Sequence, residues 1–157
     1  MKIDFLIKAL PLDSFHDLML KNNEELKLLG AAWTTVDAEP GYPCRVSLSD
    51  AKVGERVLAV SFCHHNVNSP YKASGPIFVR EKASRVKLGI NEIPKMLRHR
   101  LLSVRAYSSQ KLMIGAGVVQ GAELESAIDS QFQNGEVEYI HIHNATPGCF
   151  NCSVHRA

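Results

Sequence analysis

What this chain lacks narrows its function before any motif is considered. No run approaches the roughly 18 consecutive apolar residues of a membrane-spanning helix, and the opening MKIDFLIKAL is broken by Asp4 and Lys8 with no small-residue cleavage site after it, so neither a span nor a signal peptide is expected. Charge of one sign is scarce: 18 Lys plus Arg against 16 Asp plus Glu leave a formal +2, too little to call for a nucleic-acid partner. There is no Gly-x-Gly-x-x-Gly, no Walker loop and no His-Glu-x-x-His, which removes direct support for a nucleotide cofactor or a metalloprotease. No repeat or polar tract divides the chain into domain and linker. Four cysteines in the cytoplasmic protein these absences suggest read as thiols or ligands, not as a disulfide framework.

What is present looks like one ordinary domain spanning residues 1–157. At 157 residues, with 45% apolar and 22% charged residues, the chain is long enough to bury its own core without a staple. Helical spacing occurs in LDSFHDLML, capped by Asp13 or Ser14, and in NNEELKLLG, capped by Asn23 and stopped by Gly30. The strongest helix is GAELESAIDSQFQNG, where Leu124, Ala127, Ile128 and Phe132 share a face. A fourth, shorter helix is expected from Glu92 to about Arg100, with Asn91 as cap and Pro94 in its first turn. Strand character marks AAWTTVDA, CRVSL, ERVLAVSF, PIFVRE, LLSVRAY, KLMIGAGVV, EYIHIHN and CFNCSVHR. Because strands cluster instead of alternating with helices, the expected class is α+β: a mixed or mainly antiparallel sheet with three to four helices against it. EPGYP and TPG both fit type II turns.

The blocks EPGYPCRVSLSDAKVGERVLAVSF, SPYKASGPIFVRE, LLSVRAY and YIHIHNATPGCF resemble the bacterial family catalogued as domain of unknown function 1203. The likeness runs from the first helix to the last residue. It implies a stand-alone bacterial protein of about this length and names no reaction. His65 and Cys152 fall outside the resembling pattern.

The residues suited to chemistry gather in three groups. In YIHIHN, period-two alternation puts Tyr139, His141 and His143 on one face of a strand, offering two metal ligands or a base and a second donor. The following ATPG turn can return Cys149 toward His143 and Asn144, the thiol, imidazole and amide of a nucleophile with its base and orienting group. Cys149 and Cys152 point to opposite faces if CFNCSVHR is a strand, so the Cys-x-x-Cys spacing makes a poor chelate. The second group is SFCHHN, where His64 ends a strand. The third is the strand arginines Arg45, Arg80 and Arg105, which must reach water, pair with a carboxylate or hold an anion; Asp37, Glu39 and Glu81 are the carboxylates considered. Tyr71, in SPYKASGP, sits in a loop with Ser69 and Ser74 able to donate to a ligand. The basic cluster PKMLRHRLLSVR, with Lys95, Arg98, His99, Arg100 and Arg105, could contact phosphates, but a solvated helix face looks the same and is the expected reading, with no nucleic-acid partner.

Three functional classes follow. The first is a small-molecule site, for an anionic ligand, with His143, Cys149 and Asn144 in catalytic roles and Arg45, His64, Tyr71, Arg80, Arg105 and His141 binding. The second is a zinc site of His141, His143 and Cys149, completed by water or His64. The third is an interaction module without chemistry. Exposed strand edges would let two copies pair.

Overall fold

Eight strands form two antiparallel sheets, described over all 157 residues by a computed structural model. The larger sheet has the order β1-β8-β7-β5-β6 and the smaller β2-β3-β4. The strands are β1 (Phe5–Lys8), β2 (Ala31–Thr35), β3 (Arg56–His65), β4 (Ala73–Arg80), β5 (Leu101–Ser108), β6 (Met113–Gln120), β7 (Val137–Asn144) and β8 (Phe150–Arg156). Four helices accompany them: α1 (Asp13–Met19), α2 (Asn23–Leu28), α3 (Lys95–Arg98) and α4 (Leu124–Phe132), the last entered through a 3-10 turn at Gly121–Glu123. The class is α+β; β2, β3 and β4 make the smaller sheet, while β1 crosses to pair with β8, so Phe5 and Ile7 join the core of the larger one.

Alternation decides what each sheet face does. Leu102, Val104 and Ala106 of β5, Ile140 and Ile142 of β7, and Cys152 and Val154 of β8 share one core with Leu124, Ile128 and Phe132 of α4. Each large side chain so buried contributes about 1.5–3 kcal/mol over its exposed state. The odd-numbered partners on β5 and β7 are left on the opposite face: Ser103, Arg105 and Tyr107, paired in register with His143, His141 and Tyr139. The small sheet has a separate core in which Phe15 and Leu26 of the first two helices cover Leu58, Val60, Ile77 and Val79.

Several local expectations are corrected. CRVSL is no strand; it forms a turn held by single bridges, Pro43 to Asp50 and Cys44 to Phe78 of β4. Asn22, not Asn23, caps α2, through a reciprocal capping box with Glu25. Neither Asp13 nor Ser14 caps α1, whose N-cap is Leu12 without a side-chain bond. The helix expected from Glu92 shrinks to α3, because Asn91 stands at φ 63° with its side chain bonded to Asp4 and to the Phe5 amide, leaving it unable to cap. The Glu39–Pro40 bond is cis and Gly41 has no positive φ, so EPGYP is not a type II turn, whereas Gly148 at φ 83° turns TPG as its lack of a Cβ allows.

Candidate functional site

The polar face of the larger sheet becomes a site because β3 ends against it. β3 and β4 lose register between Phe62 and His65, and this bulge sends both final histidines toward β7. His64 stacks on Phe150 with centroids 5.1 Å apart and meets His143 edge-on at 5.1 Å. His65 lies 4.9 Å from His141 and 4.3 Å from Tyr107. Its Nδ1 must donate to the Tyr71 carbonyl at 2.8 Å, so Tyr139 donates its hydroxyl to Nε2 at 2.5 Å.

Three of the imidazoles, those of His64, His141 and His143, are held neutral. Burial first, then the neighbouring imidazoles, pulls His141 down to about 2. Burial and, secondarily, the Arg105 guanidinium bring His143 to about 4 against a favourable bond to Gly148. His64 is likewise lowered to about 4 by burial, His65 and Arg105. Burial also raises Tyr139 to about 12. Buried ring nitrogens of His64, His141 and His143 have no hydrogen-bond partner.

A second feature opens beside this face. A cleft of about 390 Å³ is lined by Gly41, Pro43, Arg45, Phe78, Arg100, Leu101, Asn144, Thr146, Pro147 and Cys149. The turn through Gly148 folds the chain so that Asn144 N–H bonds the Cys149 carbonyl at 2.9 Å and the Asn144 side-chain amide donates to the Cys149 sulfur at 3.2 Å. Asn151 donates to Asn144 Oδ1 at 2.8 Å, which fixes the orientation of that amide.

Arg45 forms the floor at 1% exposure. Its backbone is pinned between Phe78 and Leu10, its Nε donates to the Phe150 carbonyl at 2.7 Å and its Nη1 to Pro43 at 2.5 Å. It has no carboxylate partner. Burial lowers its guanidinium from the ordinary value, and the adjacent Cys149 sulfur is the largest opposing influence.

The family scan matches these residues as a unit: residues 41–156 fit the model described as protein of unknown function (DUF1203). The chain belongs to the DUF1203 family. No curated protein and no solved structure matches it. Every residue of the cleft and of the histidine face falls inside the DUF1203 span, while β1, α1, α2 and β2 precede it.

The expected site residues separate into those brought together and those not. His64, His141, His143 and Arg105 share the histidine face, and Arg45, Asn144 and Cys149 share the cleft. Tyr71 stands at the edge of the histidine face, 38% exposed, with its ring 6.1 Å from Tyr107. Arg80 lies apart, spent on Glu55 at 2.7 Å and on Ser49. No bond joins His143 to Cys149: His143 Nδ1 engages the Gly148 carbonyl, and Nε2 is unpartnered. Nor is any group of three or more His, Cys, Asp or Glu side chains arranged to hold a metal ion, the His141, His143 and Cys149 set included. In the basic cluster, Arg98 pairs with Glu125, and Arg100 and His99 with Asp50. Not among the expected site residues are His65, Tyr107, Phe150 and Asn151; the alternation of β5 puts Tyr107 on the face of Arg105, whereas nothing local in the sequence brings the other three to the site.

Proposed function

We propose that the chain engages a small anionic molecule in the cleft through Cys149 as a nucleophile, with Asn144 and Arg45 as its supports. The observation that carries this reading is a wholly buried guanidinium, uncompensated by any carboxylate, beside a half-exposed cysteine sulfur at the mouth of a cleft. Leaving a cation so placed is costly unless a negative group completes it. Arg100 adds no net charge, because Asp50 neutralises it at 2.5 Å. Asn144 donates to the sulfur and the Arg45 guanidinium is a positive charge beside it, the environment in which cysteines act as nucleophiles, so in this reading Arg45 takes the place of the His143 pairing expected from the sequence.

The test is charge preference in alkylation. Iodoacetate and iodoacetamide both form a sulfur–carbon bond and release iodide, the thiol proton passing to solvent, and they differ in charge. If Arg45 draws anions into the cleft, the iodoacetate-to-iodoacetamide rate ratio at Cys149 should exceed that of the urea-unfolded chain by about tenfold, for about 1.4 kcal/mol of attraction. An equal ratio in folded and unfolded protein would remove the anionic ligand from the reading.

A further inference from the structure

The histidine face carries a second arrangement, independent of the cleft. Asn144 lines the cleft, and His143, the residue before it on β7, faces the imidazoles instead. Arg105 is unlike the other arginines. Arg56, Arg80, Arg98 and Arg100 each meet a carboxylate; Arg45, Arg85 and Arg156 are held by backbone carbonyls. Arg105 has a single bond, from Nε to the Ser103 hydroxyl at 3.1 Å. That bond bends it along β5 toward the position opposite His143, since Ser103 and His143 are cross-strand partners. The groups that feel its charge are His64, His143 and Tyr107, none of them acidic at neutral pH.

His143 supplies the complementary half. A carbonyl can only accept, so the 3.0 Å contact with Gly148 puts the imidazole hydrogen on Nδ1. Nε2 is therefore a lone pair, on a side chain 1% exposed, with nothing donating to it. Buried acceptors of this kind are rarely left empty. A simple anion cannot fill it, because an anion without hydrogen has only lone pairs to offer.

We propose that Arg105 and His143 form a binding site for an oxyanion that carries its own hydroxyl, the guanidinium taking the charged oxygens and His143 Nε2 accepting the hydroxyl hydrogen. Arg105, Ser103 and His64 are partly exposed, Ser103 being the cross-strand partner of His143 and the His64 ring lying 5.1 Å from it. Displacement of the Arg105 side chain from its one hydroxyl anchor gives a ligand access. Protonated phosphate and small hydroxy acids both have this chemistry.

The probes are inorganic phosphate and sulfate, titrated calorimetrically into the full chain near neutral pH, where phosphate keeps at least one proton and sulfate none. Glycolate and acetate form a second pair, alike in charge and differing in the hydroxyl. Phosphate preferred over sulfate, or glycolate over acetate, supports the site, and the stronger of the two names the ligand source. The discrimination tests His143 without altering a buried residue. Arg105→Gln, at a partly exposed position, should weaken the preferred ligand by at least about tenfold. Equal binding within each pair, no binding of any probe, or full affinity in Arg105→Gln would overturn the proposal.

Discussion

Acidification should destabilise this fold steeply, and His141 and His143 set the size of the effect. Unfolded imidazoles take up protons near 6.5, whereas burial holds His143 neutral down to about 4 and His141 down to about 2. Between those values the unfolded chain binds more protons than the folded one, so stability is fully present above about pH 6.5 and falls as pH falls. At about pH 5 the solution lies roughly 1.5 units below the unfolded value of each imidazole and still above both folded values. At about 1.4 kcal/mol per unit this costs about 2 kcal/mol each, or about 4 kcal/mol together. That is a large part of the roughly 5–15 kcal/mol available to a domain. His64, half-exposed, adds in the same direction with screening. The carboxylates of Asp50, Glu55 and Glu125 sit below their ordinary values and stay ionised at about pH 5, so they do not offset the loss. Urea unfolding at constant ionic strength measures it. With a slope of about 2 kcal/mol per molar, the midpoint should drop by about 2 M between pH 7 and pH 5, and His141→Phe should remove about half of that drop. A midpoint that does not move over this range would refute the buried, neutral imidazoles.

Two substitutions probe the frame around the site. Gly121→Ala would push a Cβ onto the Leu97 carbonyl, 2.7 Å from its carbon and 2.9 Å from that of Arg98, and should cost at least about 2 kcal/mol in thermal or urea unfolding. Arg80→Gln should cost under about 1 kcal/mol, since the Glu55 pair is partly solvated, and should leave Cys149 alkylation unchanged; a slowed Cys149 would return Arg80 to the site.

The sequence disclosed this architecture where period and spacing act locally. Tyr139, His141 and His143 alternate with Ile140 and Ile142, and the structure puts the isoleucines in the core and the ring face opposite. Ser103, Arg105 and Tyr107 obey the same rule. The turn through Gly148 brought Cys149 back to Asn144 as its residues imply. What remained hidden depends on distant chain. A bulge at Phe62 to His65 has no signature in SFCHHN, and period-two alternation alone would send His64 and His65 to opposite faces. Arg45 follows Cys44 in a segment that looks like a strand, yet its burial comes from Leu10, Phe78 and Phe150 closing round it. Asn151 reaches Asn144 only because β8 pairs with β7 past an irregularity between Ile142 and His143.

Cys149 and Cys63 are both half-exposed, while Cys44 and Cys152 are buried, and this contrast makes site-resolved alkylation by mass spectrometry the most direct measurement. If Asn144 and Arg45 prepare the Cys149 sulfur, Cys149 should react with iodoacetamide at least about tenfold faster than Cys63 near neutral pH, the equivalent of about 1.4 kcal/mol. Asn144→Ala should erase most of that advantage, and Cys152 should stay unlabelled in the folded protein, its thiol pushed up to about 12 by burial. Equal rates at Cys149 and Cys63 would contradict the account.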